Sequence, residues 1–211
     1  MGEANHNHPS KEKLLDAALQ VIRTKGYTAT RIEDICEAAG LTKGSFFHHF
    51  KSKEDLAVAA AEHWSTVTAA LFQAAPFHRH ADPLARLLGY IDFRKELLRG
   101  AVPEFTCLVG TMVQEAYDTE PAIRDACDRC ISSHVATIEQ DIAEAMTAYG
   151  IEADWTAKSL AFHTQAVLQG AFILAKAKSG PAIAAESIDH LRRYVVLLFK
   201  GQSAAEMPHA N

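Results

Sequence analysis

At 211 residues the chain has room for one large domain or two small ones, and its 48% hydrophobic residues suffice for a packed core. A net charge of −5 excludes a uniformly basic nucleic-acid coat, and the longest aliphatic or aromatic run, Tyr194 to Phe199, is far too short to span a bilayer. With no leader-like N-terminal segment the chain reads as cytoplasmic, so Cys36, Cys107, Cys127 and Cys130 are expected as thiols rather than disulfides.

Residues 1–9 read as a loose polar arm, in which His6 and His8 belong to a tail rather than a metal site. A first helix spans Ser10 to Lys25, with Leu15, Ala18, Leu19 and Ile22 as its inward stripe, and Gly26 ends it. Thr30 is an N-cap type for the second helix, and a hydroxyl there can also bond a phosphate. Ile32, Ile35, Cys36 and Ala39 recur at helical spacing, and Gly40 supplies a left-handed C-cap. Thr42 caps a third helix, Lys43 to Phe50. Phe46 and Phe50 share its inner face, while Thr42, Lys43, Ser45 and His48 point outward. This is the layout of a helix-turn-helix, and pattern alone fits an ordinary corner between two helices equally well.

Charge is uneven along the chain. Residues 11–53 hold eight Lys and Arg against five Asp and Glu, and the remainder holds thirteen against twenty-one. A mildly basic end on an acidic body suits a protein that touches phosphate at one place.

Ser52 is the expected N-cap of a fourth helix to about Ala75, with Leu56, Ala60, Trp64, Val67 and Leu71 facing inward, and Pro76 stops it. His78, His80 and Asp82 then fall in a loop. Their spacing suits a metal, but no further ligand accompanies them. Asp82-Pro83 opens the next helix, which carries Leu84, Leu87, Leu88 and Ile91 and closes at Gly100 and Pro103. Further helices are predicted from Glu104 to Tyr117, from Glu120-Pro121 to Tyr149-Gly150, from an Asp154 cap to Ser179, and from Ala184 to Lys200. Residues 201–211 form a tail. Cys127, Cys130 and His134 share one helix face, yet positions seven apart are separated by about 10 Å, too far for one ion. They read as core, with Ile123, Ile131, Ile138 and Ile142. The chain is therefore all-α, with about nine helices. No GxSxG, HExxH, P-loop or GxGxxG pattern appears, so no enzyme, cofactor or metal is expected.

The last two helices are apolar over more than one face. Leu160, His163, Val167, Gly170 and Leu174 step along one, and Ile188, Leu191, Val195 and Leu198 along the other. Such a pair needs a second partner surface or lies at the centre of a monomeric core.

The stretch from Lys11 to Leu56, and GYTATRIEDICEAAGLTKGSFFHHFKSKEDL within it, resembles the DNA-binding signature of the TetR family of transcriptional regulators. The resemblance rests on Gly26-Tyr27, Ala39-Gly40, Lys43-Gly44-Ser45, Phe50 and Lys51-Ser52-Lys53-Glu54. It implies a helix-turn-helix domain over residues 10–55 and a ligand-binding and dimerisation domain over 56–200. It also implies a homodimer that binds a double-stranded palindromic operator, most often as a repressor, and a small-molecule effector, with no membrane partner. The DNA-contact residues it implies are Thr30, Arg31, Thr42, Lys43, Gly44, Ser45, Phe47, His48 and Lys53. Many relatives carry Tyr where this chain has Phe47, which removes a phosphate-binding hydroxyl. The family's four-helix dimer interface maps to Leu160, Val167, Gly170, Leu191, Val195 and Leu198. Thr106 to Gly110, with Glu115 and Pro121, resembles a branch containing electrophile and quinone sensors. Cys107 is thus either a sensing thiol or a buried core cysteine. Candidate effector contacts are Trp64, Phe93, Phe105, Cys107, Met112, Phe162, His163 and Phe172, although aromatic residues at this spacing also serve simply as core. The competing reading is a helical interaction protein that keeps the fold without binding an operator.

Overall fold

The computed structural model describes residues 9–200. Most of the expected tails, with His6 and His8, therefore lie outside the described residues. Among the described residues there are ten α-helices and one 3-10 turn, and no strand. They are α1 (Pro9–Lys25), α2 (Ile32–Ala39), α3 (Lys43–His49), α4 (Lys53–Gln73), the turn Pro76–Arg79, α5 (Pro83–Glu96), α6 (Val102–Phe105), α7 (Leu108–Ala116), α8 (Pro121–Ala148), α9 (Ala157–Ala177) and α10 (Ala182–Lys200).

Local chemistry accounts for most boundaries. Gly40 adopts φ 64°, and its N–H closes α2 on the carbonyls of Cys36 and Glu37. Thr42 Oγ1 accepts from Ser45 N at 3.2 Å, Ser52 Oγ from Asp55 N at 3.0 Å, and an Asp82 carboxylate oxygen from Ala85 N at 2.9 Å. Three starts differ from expectation. Thr30 is buried and donates its hydroxyl to Gly26 O at 2.6 Å, so α2 is instead entered at Arg31, whose N–H donates to Asp34 at 2.9 Å. α9 is capped by Thr156 and Ser159 reciprocally, rather than by Asp154.

The third difference is that the helix expected from Glu104 to Tyr117 is two helices. Cys107 is extended between them, and its Sγ accepts from Gly110 N at 3.4 Å. Its carbonyl accepts the Thr111 hydroxyl at 2.9 Å. The break was hidden because Phe105, Leu108, Val109 and Met112 keep helical spacing across it. The split raises the helix count from about nine to ten.

The chain divides into two compact units. Among the described residues, the first comprises 9–70 together with Thr106–Ile131, and the second comprises Leu71–Phe105 together with 132–200. This division does not follow the expected boundary at 55/56, because α7 and the start of α8 pack with the head. In the first unit Leu14, Ala18, Ile22, Ile35, Phe46, Leu56, Met112 and Ile123 form one apolar cluster. In the second, α9 packs on α10 and α10 on α5. Leu87, Ile91, Ile142, Leu168, Ile188 and Val195 are almost completely removed from solvent. Arg192 meets Asp92 at 2.9 Å and Lys95 meets Asp189 at 2.7 Å across α5 and α10, and Arg86 joins α5 to Asp141 of α8 at 2.7 Å. These pairs fix register more than they add stability, since partly exposed ion pairs contribute only about 0–1 kcal/mol.

Candidate nucleic-acid interface and sensing region

α3 is held by its two inward rings. Phe46 is fully buried and Phe50 nearly so, with ring centroids 5.7 Å apart. The other side of the helix leaves Lys43, Gly44, Phe47 and His48 in solvent, with Ser45 half-buried. Phe47 is 56% exposed, an unusual position for a large apolar ring, with its edge against Phe46. Lys43 pairs with Glu33 of α2, and this contact holds the Glu33 carboxyl below its ordinary value. Arg31 is exposed and pairs with Asp34 at 3.5 Å. The backbone N–H of Arg31, followed by Lys25 at 3.1 Å, pulls the Asp34 carboxyl down to about 2. His49 is tied to Ser10 Oγ at 2.6 Å, which docks the end of α3 on α1.

Two expected DNA contacts have other employment. Thr30 is buried, as described above. Lys53 is half-buried, and its Nζ donates to the carbonyls of Tyr27, Thr28 and Thr30 at 3.1, 3.4 and 3.1 Å. It also stands 4.3 Å from the Tyr27 ring centroid. Lys53 therefore clasps the α1–α2 turn to the start of α4. Glu115 of α7 holds the same turn from another side, accepting from Thr28 N at 2.7 Å. Gly26, at φ 83°, takes a left-handed conformation that favours glycine, and the Glu115 carboxylate lies close against it.

The candidate effector contacts are divided between the two units. Trp64, Cys107 and Met112 belong to the first unit. Met112 is fully buried, and Trp64 packs against the core under Arg23, whose guanidinium is 5.0 Å from the indole centroid. Cys107 is half-buried, whereas Cys36, Cys127 and Cys130 are buried. Burial pushes the Cys127 thiol up to about 12 and the Cys130 thiol to about 11, which suppresses their thiolates.

Phe93, Phe105, Phe162, His163 and Phe172 belong to the second unit. Phe162 and His163 face solvent. Phe172 is buried, 6.4 Å from Phe105, and Phe93 lies 5.8 Å from Phe72 and 5.9 Å from Phe77. Within this group a polar chain runs from Gln165 Nε2 to the Tyr90 hydroxyl at 2.9 Å and on to His134 Nε2 at 3.0 Å. Desolvation, then the nearby Arg94 charge, lowers His134 to about 3, so its imidazole is neutral.

The expected interface residues divide. Leu160, Leu191 and Val195 are buried within the chain itself and present nothing to a partner. Val167, Gly170 and Leu198 are half-exposed, and a β-carbon built at Gly170 would meet no atom within 4 Å. The outward face instead carries Phe162, Ile173, Leu174, Tyr194 and Leu197, with Leu197 at 67% exposure.

Residues 14–60 match the family described as bacterial regulatory proteins, tetR family, and residues 83–191 match the tetracyclin repressor-like C-terminal domain. The chain belongs to the TetR family. Its relatives include the transcriptional regulator AcuR of Cereibacter sphaeroides, 29% identical over 170 residues that cover 81% of this chain and 78% of that protein. The HTH-type transcriptional repressor DhaR of a Mycobacterium species is 26% identical, covering 80% and 83%. A regulatory protein TetR from Rhodobacter sphaeroides superposes with a TM-score of 0.78 at 27% identity, over 89% of this chain and 99% of that one. Escherichia coli NemR, in its reduced form, shares the fold with a TM-score of 0.76 at 21% identity, over 88% and 96%.

This TetR-family chain is thus a transcriptional regulator with a helix-turn-helix head, and the family and its homologues are not enzymes. No described helix is long and apolar enough to cross a membrane. Sequence reasoning missed the Lys53 clasp, the α7 cap and the Tyr90–His134–Gln165 chain. The first carried a visible signal in the Tyr27 and Lys53 pair, whereas the last joins three helices far apart in sequence.

Proposed function

We propose that this regulator is a homodimeric repressor. Two α3 helices read an inverted-repeat operator, and a small molecule or thiol adduct releases it. The observation that carries the reading is the two-sided α3: buried Phe46 and Phe50 fix it, while Lys43, Gly44, Phe47 and His48 face outward. Lys43 exchanges Glu33 for phosphate, Gly44 allows close backbone approach, and Phe47 packs on sugar or a thymine methyl. Arg31 and Thr42 flank them at the two helix starts.

Assembly follows from the apolar outer face of α9 and α10. Phe162, Ile173, Leu174, Tyr194 and Leu197, with Gly170 permitting close approach, suit a second copy of the chain. The switch runs through α7. Cys107 caps one end of it and Glu115 near the other end holds the α1–α2 turn, so strain at Cys107 shifts the base on which α2 and α3 rest. An effector acts only through its difference in affinity between the operator-matched and mismatched shapes.

A band-shift assay with the upstream region of the regulator's own gene tests this. The protein forms a discrete complex, and N-ethylmaleimide abolishes it. Cys107→Ser keeps binding and loses the response, while Cys127→Ser and Cys130→Ser respond as wild type does. Release of Cys107→Ser by the same reagent would leave a reversible ligand as the trigger. Absence of any specific complex would favour the interaction-protein reading.

A further inference from the structure

Arg94 of α5 is half-buried, and its Nε is enclosed without a hydrogen-bond acceptor among the described residues. No described carboxylate pairs with its guanidinium. Its Cζ stands 5.3 Å from the Phe72 ring centroid and 5.4 Å from that of Phe172. Beside it runs the Gln165–Tyr90–His134 chain, all of whose members are uncharged. A native protein rarely encloses a guanidinium edge with nothing to accept its protons, and the aromatic faces satisfy the charge only in part. Every group identified around Arg94 is apolar or neutral. The enclosed donor is Nε, and it lacks an acceptor among the described residues.

We propose that Arg94 anchors an effector site for a small organic carboxylate with a flat apolar body, walled by Phe72 and Phe172 and oriented by Tyr90, His134 and Gln165. A carboxylate matches the planar fork of one guanidinium with two parallel hydrogen bonds and balances its single charge, whereas a phosphate dianion calls for further cations. The rings on either side of the polar chain favour an aromatic or unsaturated body over a hydrated sugar. The inference rests on the reading of the C-terminal half as effector-binding and adds the class of effector.

Calorimetry on the full-length protein tests it with benzoate and hexanoate, each against its amide. Wild type binds at least one acid about tenfold or more tightly than the matching amide. Arg94→Met loses that preference while keeping its circular dichroism and operator affinity, and Arg94→Lys retains part of it. Equal binding of acid and amide, failure of both acids to bind, or an unchanged preference in Arg94→Met overturns the carboxylate site. Operator release is scored separately. A carboxylate that binds through Arg94 without altering operator affinity upholds the site and contradicts the sensor reading, and release by a neutral compound alone does the reverse.

Discussion

The head and the α9–α10 pair teach opposite lessons about how far a helix pattern reaches. In the head, each decisive side chain answers to a neighbour a few residues away. Gly40 closes α2, Thr42 opens α3, and Phe46 and Phe50 turn one side of a seven-residue helix inward. In α9 two apolar stripes lie side by side, and the choice between them depends on α5 and α10. The buried residues of α9 are Leu160, Ala161, Thr164, Gln165, Leu168, Ala171, Phe172 and Ala175, which include two polar residues. They are tolerated because Thr164 donates to Leu160 O at 2.9 Å and Gln165 donates to Tyr90. Of the stripe expected to meet a partner, Leu160 is buried, Val167 and Gly170 are half-exposed, and His163 and Leu174 face out.

The sharpest way to break this comparison is a pair of charges on α10. Val195→Glu puts an unpaired carboxylate at a position with no exposure and costs several kcal/mol, enough to abolish cooperative melting. Leu197→Glu, two residues on, leaves the subunit folded and yields monomer in sedimentation. If Val195→Glu gave a folded monomer instead, the inward and outward faces of α10 would be exchanged.

The same contrast explains what was legible in the sequence. The all-α class, nearly every helix of the head and the outward set around Lys43 followed from caps and spacing. The Cys107 break did not, because apolar periodicity runs through it and a sulfur is a weak capping signal. The Gln165–Tyr90–His134 chain did not either, since its members meet only after α5, α8 and α9 are packed. Lys53 shows a subtler limit. A lysine beside a recognition helix reads as a phosphate contact, but its three carbonyl acceptors make it a structural clasp here.

Lys53 therefore sharpens the comparison at smaller scale. Lys53→Ala lowers unfolding free energy by about 1–3 kcal/mol, as expected for a charged donor removed from several carbonyls. Lys43→Ala, at an exposed side chain whose partner among the described residues is Glu33, changes stability by less than about 0.5 kcal/mol. Chemical denaturation of the two variants side by side checks the ordering, and equal losses would remove the distinction between clasp and DNA-facing side chain.

The central claim is that α3 meets operator DNA through its Lys43 face. The most direct measurement is the salt dependence of operator affinity for wild type and Lys43→Ala. The variant binds more weakly, with a log–log salt slope shallower by about one for each phosphate left without its lysine, two per dimer, and an unchanged melting temperature. A Lys43→Ala protein with wild-type affinity and slope would contradict that claim.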